Sequence, residues 1–135
     1  MSGNVRVAIL VLLLCTLPLQ AQVASLAITH PADREEVVER PYVEGTVSTP
    51  KAAIWVIVHP MEGSEYWVQP RVTVRHDRKW KVKIYIGRPG TGDVGKQFEV
   101  RAIANPSVGL AEGQVLDDWP GAEAISNVVE VTRKE

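Results

Sequence analysis

The sequence predicts an all-β protein, a Greek-key β-sandwich of about seven strands behind a hydrophobic amino-terminal leader. Three observations carry this. Apolar and polar residues alternate with a period of two from Leu26 onward, turn residues interrupt that alternation every ~8–12 positions, and no long stretch of helical period follows the leader. Of 135 residues, about 110 remain beyond the leader, enough for one core.

Residues 1–25 form the first element. Arg6 precedes the apolar run Val7 to Leu14, Pro18 breaks it, and the small residues Ala21, Ala24 and Ser25 follow, the three-part layout of a secretory signal peptide. The run is shorter than the roughly 20 residues that cross a bilayer core. Gln20 and Gln22 interrupt an Ala-x-Ala cleavage site, so retention as an amino-terminal membrane anchor is the alternative to cleavage. Leu14, directly before Cys15, departs from a lipoprotein signal, which carries a small residue there. Either way residues 26–135 face an extracytoplasmic compartment, periplasmic, secreted or tethered to the outer face of a membrane.

Within residues 26–135, Leu26 to His30 is the first predicted strand, ended by Pro31 and the polar Ala32 to Glu36. A second runs from about Val37 to Ser48. Pro41 and Gly45 within it suit an edge strand with a bend or bulge. Ala53 to His59 is the most continuously apolar segment and is predicted to be central. Glu65 to Gln69 is a short edge strand closed by Pro70, open to pairing with another chain; Arg71 to Arg75 alternates weakly before the turn at His76–Arg78. Lys79 to Ile86 alternates most cleanly, with Trp80, Val82, Ile84 and Ile86 on one face and Lys79, Lys81, Lys83 and Tyr85 on the other. The glycine-rich loop Gly87 to Gly95 leads into a strand at Gln97 to Ala104, with Phe98, Val100, Ala102 and Ala104 inward. Ser107 to Ala124 reads as a long, partly helical crossover, and Val128 to Thr132 as the last strand, with Val129 and Val131 inward.

Composition narrows the function classes. With 45% hydrophobic and 23% charged residues the chain is too apolar for a disordered one, and a net charge of -1 with interspersed signs offers no field for phosphate neutralisation, which argues against nucleic-acid binding. The single cysteine, Cys15, lies in the leader, so the folded part has neither disulfide nor thiolate ligand.

Gly87-Arg88-Pro89-Gly90-Thr91-Gly92 lacks the spacing and the following helix of a phosphate-binding loop; glycines at positive φ in a connection between strands explain it better. His30, His59 and His76 sit in or beside different strands without metal-ligand spacing, and no cofactor or metal is expected. Asp117 and Asp118 beside Trp119, or Glu35 and Glu36, are the carboxylates on which a small exported hydrolase would rest, but no nucleophile elbow or triad order accompanies them. Trp55 and Trp80 share the inward phase and are expected in the core. Tyr66 and Trp67 are adjacent on one strand and therefore point to opposite faces. Tyr66, Trp67, Gln69 and Tyr85 are the candidate ligand-binding residues, as exposed aromatics beside an amide anchor a protein partner or stack on a sugar ring.

Over residues 26 to 133 this pattern resembles an immunoglobulin-like or fibronectin type III-like module. The resemblance is carried by Val43 to Val47 as a second strand, Trp55 in the third, Lys79-Trp80 opening an amphipathic strand, Gly92-Asp93-Val94-Gly95 before the Phe98 strand, and the closing Ser126 to Thr132. The chain departs from antibody-type domains in lacking the two-cysteine bridge and in carrying Phe98 where a tyrosine corner needs a hydroxyl. The expected function is that of an exported, non-enzymatic module with a protein-binding, structural or adhesive role. Carbohydrate binding through the exposed aromatics is the alternative, a small hydrolase the third reading. Membrane association is expected only through an uncleaved leader.

Overall fold

The computed structural model describes Gly3 and residues 25–135. Apart from Gly3 and Ser25, the expected leader lies outside the described residues. These form ten strands and no helix: β1 (Leu26–His30), β2 (Glu35–Val37), β3 (Tyr42–Val47), β4 (Ile54–Pro60), β5 (Tyr66–Val68), β6 (Thr73–Val74), β7 (Lys79–Lys83), β8 (Gln97–Pro106), β9 (Val115–Leu116) and β10 (Ala122–Arg133). One sheet has the order β1-β3-β7-β6, the other β2-β10-β8-β4-β5-β9, and only β2 and β10 run parallel. The count exceeds the expected seven chiefly through β2 and β9, pieces of three and two residues that are too short to leave a periodic signal.

The two sheets enclose a single apolar core in a β-sandwich-like arrangement. Val43, Val47 and Val82 from the first sheet meet Val56, Val100 and Val129 from the second, the inward halves of the period-two pattern. Trp80 is the largest fully buried side chain, 1% exposed, and its Nε1 donates to the Thr46 carbonyl at 3.1 Å, which satisfies the one polar atom of an otherwise apolar ring. Gly45 lies directly opposite Trp80 on β3, where a Cβ would collide with the indole and with the Ala27 carbonyl oxygen. The predicted edge position is thereby corrected, because β3 lies between β1 and β7 and Gly45 makes room for the tryptophan; the register shift of this ladder falls opposite Gly45, between Ile28 and His30 of β1.

Trp55 is not in the core. The inward phase expected for it fails because its strand is apolar on both faces; register with Ile103 places Trp55 half-buried on the outer face of the second sheet. Ile57 and Ile103, both fully buried, stand apart from the inter-sheet cluster. The segment between β8 and β10 packs on that side, with Trp119 edge-on to His59 and Tyr66 at centroid distances of 6.1 and 4.8 Å. This segment contains no helix, contrary to expectation. Ser107 ties its neck by donating N–H and Oγ–H to Gly121 O at 2.9 and 3.0 Å, and β9 pairs with β5. β5 is therefore not a free edge, and strand addition at Glu65 to Gln69 is ruled out by the Tyr66–Leu116 and Trp67–Val115 pairing.

The last strand starts six residues earlier than its alternation indicates, because register shifts between Ile125 and Val128. At this bulge Ser126 Oγ accepts from Ala102 N at 2.9 Å and donates to Asn127 O at 2.8 Å, replacing ladder bonds that a bulge disrupts. Asn127 Oδ1 accepts from Ile28 N at 3.0 Å, and its Nδ2 donates to Ile28 O at 3.5 Å. One side chain thus closes the outer edge of β1 and links the two sheets.

Gly45→Ala is expected to lower the stability of the protein by about 2 kcal/mol or more through overpacking against Trp80. Gly109→Ala, where nothing lies within 4 Å of the added methyl, is expected to stay within about 0.5 kcal/mol of the parent. Urea unfolding followed by tryptophan fluorescence checks both.

Candidate functional site

A cleft of about 780 Å³ opens at the end of the sandwich where β4 closes and β8 begins. The first sheet ends in the two-residue β6, and the chain from Tyr85 to Lys96 forms the wall facing β5. Val58, Phe98, Pro60 and Pro70 give the cleft an apolar lining. Trp67 and Tyr85 also line it and remain 42% and 44% exposed. Trp67 pairs with the inward Val58, which directs its indole to the cleft side of β5.

Gln69 holds the two aromatics in place. It is 4% exposed; its Oε1 accepts from Tyr85 N at 2.8 Å, its Nε2 donates to Trp67 O at 3.3 Å, and its backbone N–H donates to Val56 O at 2.9 Å. This buried amide joins the wall of one sheet to a strand of the other, with one hydrogen bond at each end of the side chain. The Arg40 guanidinium stacks over the Tyr85 ring 3.6 Å from its centroid, and Arg40 Nε donates to Ile84 O at 3.2 Å.

Asp93 and Arg133 organise the opposing loop. Asp93 Oδ2 accepts from Arg88 N at 2.7 Å, and Oδ1 lies 3.2 Å from Arg88 Nη2 and 3.1 Å from Lys96 Nζ; Lys96 continues to Glu62 at 2.9 Å. The Arg88 guanidinium, then its backbone N–H and the Lys96 ammonium, hold the Asp93 carboxyl well below the usual carboxylate range. Glu62 and Asp93 in turn raise Lys96, and Asp93 raises Arg88. The Arg133 side chain is 3% exposed. It donates through Nη1 to Ile86 O at 2.8 Å and Arg88 O at 3.0 Å, and through Nη2 to Gly90 O at 2.6 Å. Gly87, at φ +80°, fits between the two groups, since a Cβ there would lie 2.9 Å from Asp93 Oδ2 and 3.2 Å from Arg133 Nη1. The glycine-rich loop is accordingly a folded wall with positive φ at Gly87, Gly90 and Gly95.

Three of the four sequence candidates, Trp67, Gln69 and Tyr85, meet at the cleft. Tyr66 does not: it faces the other side of the sheet, stacked on His59 at 4.0 Å with an interplanar angle of 5°. That is the consequence of two adjacent residues on one strand. His59 Nδ1 lies 3.0 Å from Glu65 O, and Arg101 sits 5.0 Å from the Trp119 ring centroid. Asp117 and Asp118 are exposed and lie outside the cleft lining, with Asp118 Oδ1 accepting from Trp119 N at 2.7 Å. Sequence reasoning missed Asp93 and Arg133, whose partners are carbonyls and N–H groups that no spacing rule marks.

No family model, curated protein or solved structure matches the chain. The chemistry of the cleft therefore carries the functional reading.

Because the Asp93 carboxyl is depressed in the folded state, its contribution to stability is complete above its unfolded value of 3.8 and is lost as pH falls below it. Thermal unfolding is expected to place Asp93→Asn below the parent protein at pH 7, with the gap narrowing from about pH 4 towards pH 2. A gap that stays constant over that range would remove the ionic role of Asp93.

Proposed function

We propose that the protein is an exported, non-enzymatic immunoglobulin-like module that binds a protein partner through the cleft of Trp67 and Tyr85. Export rests on the layout of residues 1–25, with the folded part periplasmic, secreted or tethered by an uncleaved leader. The Greek-key, immunoglobulin-like assignment draws support from the strand order, since β3 to β4 and β7 to β8 each cross between sheets and β1 and β10 sit on facing sheets. The outward Trp55 and the core Trp80 are a departure from the pattern in which the third strand supplies the buried tryptophan.

One observation carries the binding assignment: two large aromatics are kept about two-fifths exposed over an apolar cleft by a glutamine buried between the sheets. Ordered, amphipathic rings beside an apolar recess suit insertion of a partner's side chain at small entropic cost. The Gln69 amide is buried and turned to Tyr85 N and Trp67 O, and the floor of the cleft is apolar, which suits an inserted apolar side chain better than a hydroxyl-rich sugar. The acidic pair Asp117 and Asp118, on which a hydrolase would rest, stands outside the cleft. Since β9 covers β5, the partner docks at this cleft by side-chain insertion and not by adding a strand to β5.

Replacing Pro89, an exposed residue of the cleft wall, with a photo-crosslinking phenylalanine derivative in cells that export the protein tests this reading. A protein adduct in the extracytoplasmic fraction is expected, absent when Tyr85→Ala is added and absent when the crosslinker is moved to Asp117. Retention in the cytoplasm, or adducts to glycan alone, would refute it.

A further inference from the structure

The rim of the cleft is charged unevenly. The exposed carboxylates Glu62, Glu65 and Glu112 and the buried Asp93 line it with the cations Arg88 and Lys96, and the Arg40 guanidinium is stacked on Tyr85, whereas the whole chain is close to neutral at -1. Glu62 and Asp93 are engaged by Lys96 and Arg88. Glu65 and Glu112 are exposed and form no ion pair among the described residues.

Their placement is specific. Glu65 immediately precedes β5, and Glu112 precedes Gly113, whose N–H donates to Val68 O at 2.9 Å at the far end of the same strand. At about 3.3 Å per residue the two acids bracket Trp67 across roughly 10–13 Å. An extended chain lying along the cleft spans about 13 Å between the residues two before and two after a central one, and those two share its face.

We infer, resting on the protein-binding reading above, that the partner segment carries an apolar anchor flanked by basic residues at both the −2 and +2 positions. The apolar side chain fills the recess of Val58, Phe98 and Pro70 beside Trp67 and Tyr85, and the two basic residues meet Glu65 and Glu112. Exposed ion pairs of this kind set partner choice and encounter rate more than total affinity. An acidic segment meets uncompensated repulsion at both ends.

Random-peptide display on the purified protein, counter-selected against Trp67→Ala, tests the inference. Enriched peptides are expected to hold a large apolar residue with Lys or Arg two positions to either side. A synthetic representative is expected to bind the Glu65→Gln/Glu112→Gln double variant about fivefold more weakly and to weaken with added salt. Both substitutions are isosteric and exposed, so unchanged circular dichroism is the folding control. Trp67-dependent peptides without basic residues, or an unaltered affinity in the double variant, overturn the basic flanks while leaving the cleft as a protein-binding site. A failure to enrich any Trp67-dependent peptide overturns both.

Discussion

Six strands facing four is the constraint on which the rest of the structure depends. The second sheet runs from β2 to β9, while the first stops at β6, two residues long. Near β5 the sandwich has to be closed by something other than a strand. Loop backbone brought against an apolar interior carries N–H and C=O groups that need partners. Gln69, Asp93 and Arg133 supply them, binding Tyr85 N, Arg88 N and the carbonyls of Ile86, Arg88 and Gly90. The cleft is what remains between β5 and a wall stabilised in this way.

The same logic operates at the other edge. β1 would present a bare N–H and C=O at Ile28, and Asn127, displaced by the bulge in β10, binds both. Packing centres on Trp80, and its tight seat over Gly45 sets how closely β3 and β7 carry their inner faces to the second sheet. Two polar seams and one aromatic centre thus define a sandwich that has no disulfide, since Cys15 is the chain's single cysteine.

Where one face of a strand is buried and the other wet, the pattern of residues was sufficient. β1 coincides with its expected span, and β7 and β8 bury the expected faces. Legibility failed where burial is two-sided or where a partner lies far along the chain. The Ile54 to Val58 stretch of β4 is apolar throughout, so its phase could be read either way and the inward assignment of Trp55 failed. Ser126 and Asn127 break the alternation of β10 and hid its first half, although they are what joins it to β8 and β1. Trp67, Gln69 and Tyr85 were legible as chemically suited residues. That Gln69 is a positioning residue, with its amide spent on residues 67 and 85, was not, because side-chain to backbone bonds across sheets leave no periodic trace.

The cleft's order therefore hinges on a single buried amide whose oxygen is the acceptor for the Tyr85 N–H. Amide hydrogen exchange at Tyr85, compared between the parent protein and Gln69→Ala, tests this most directly. The result expected is slow exchange in the parent and loss of that protection in the variant, with the amides of Trp80 and Val82 still slow. Equal protection of Tyr85 in both proteins would contradict it.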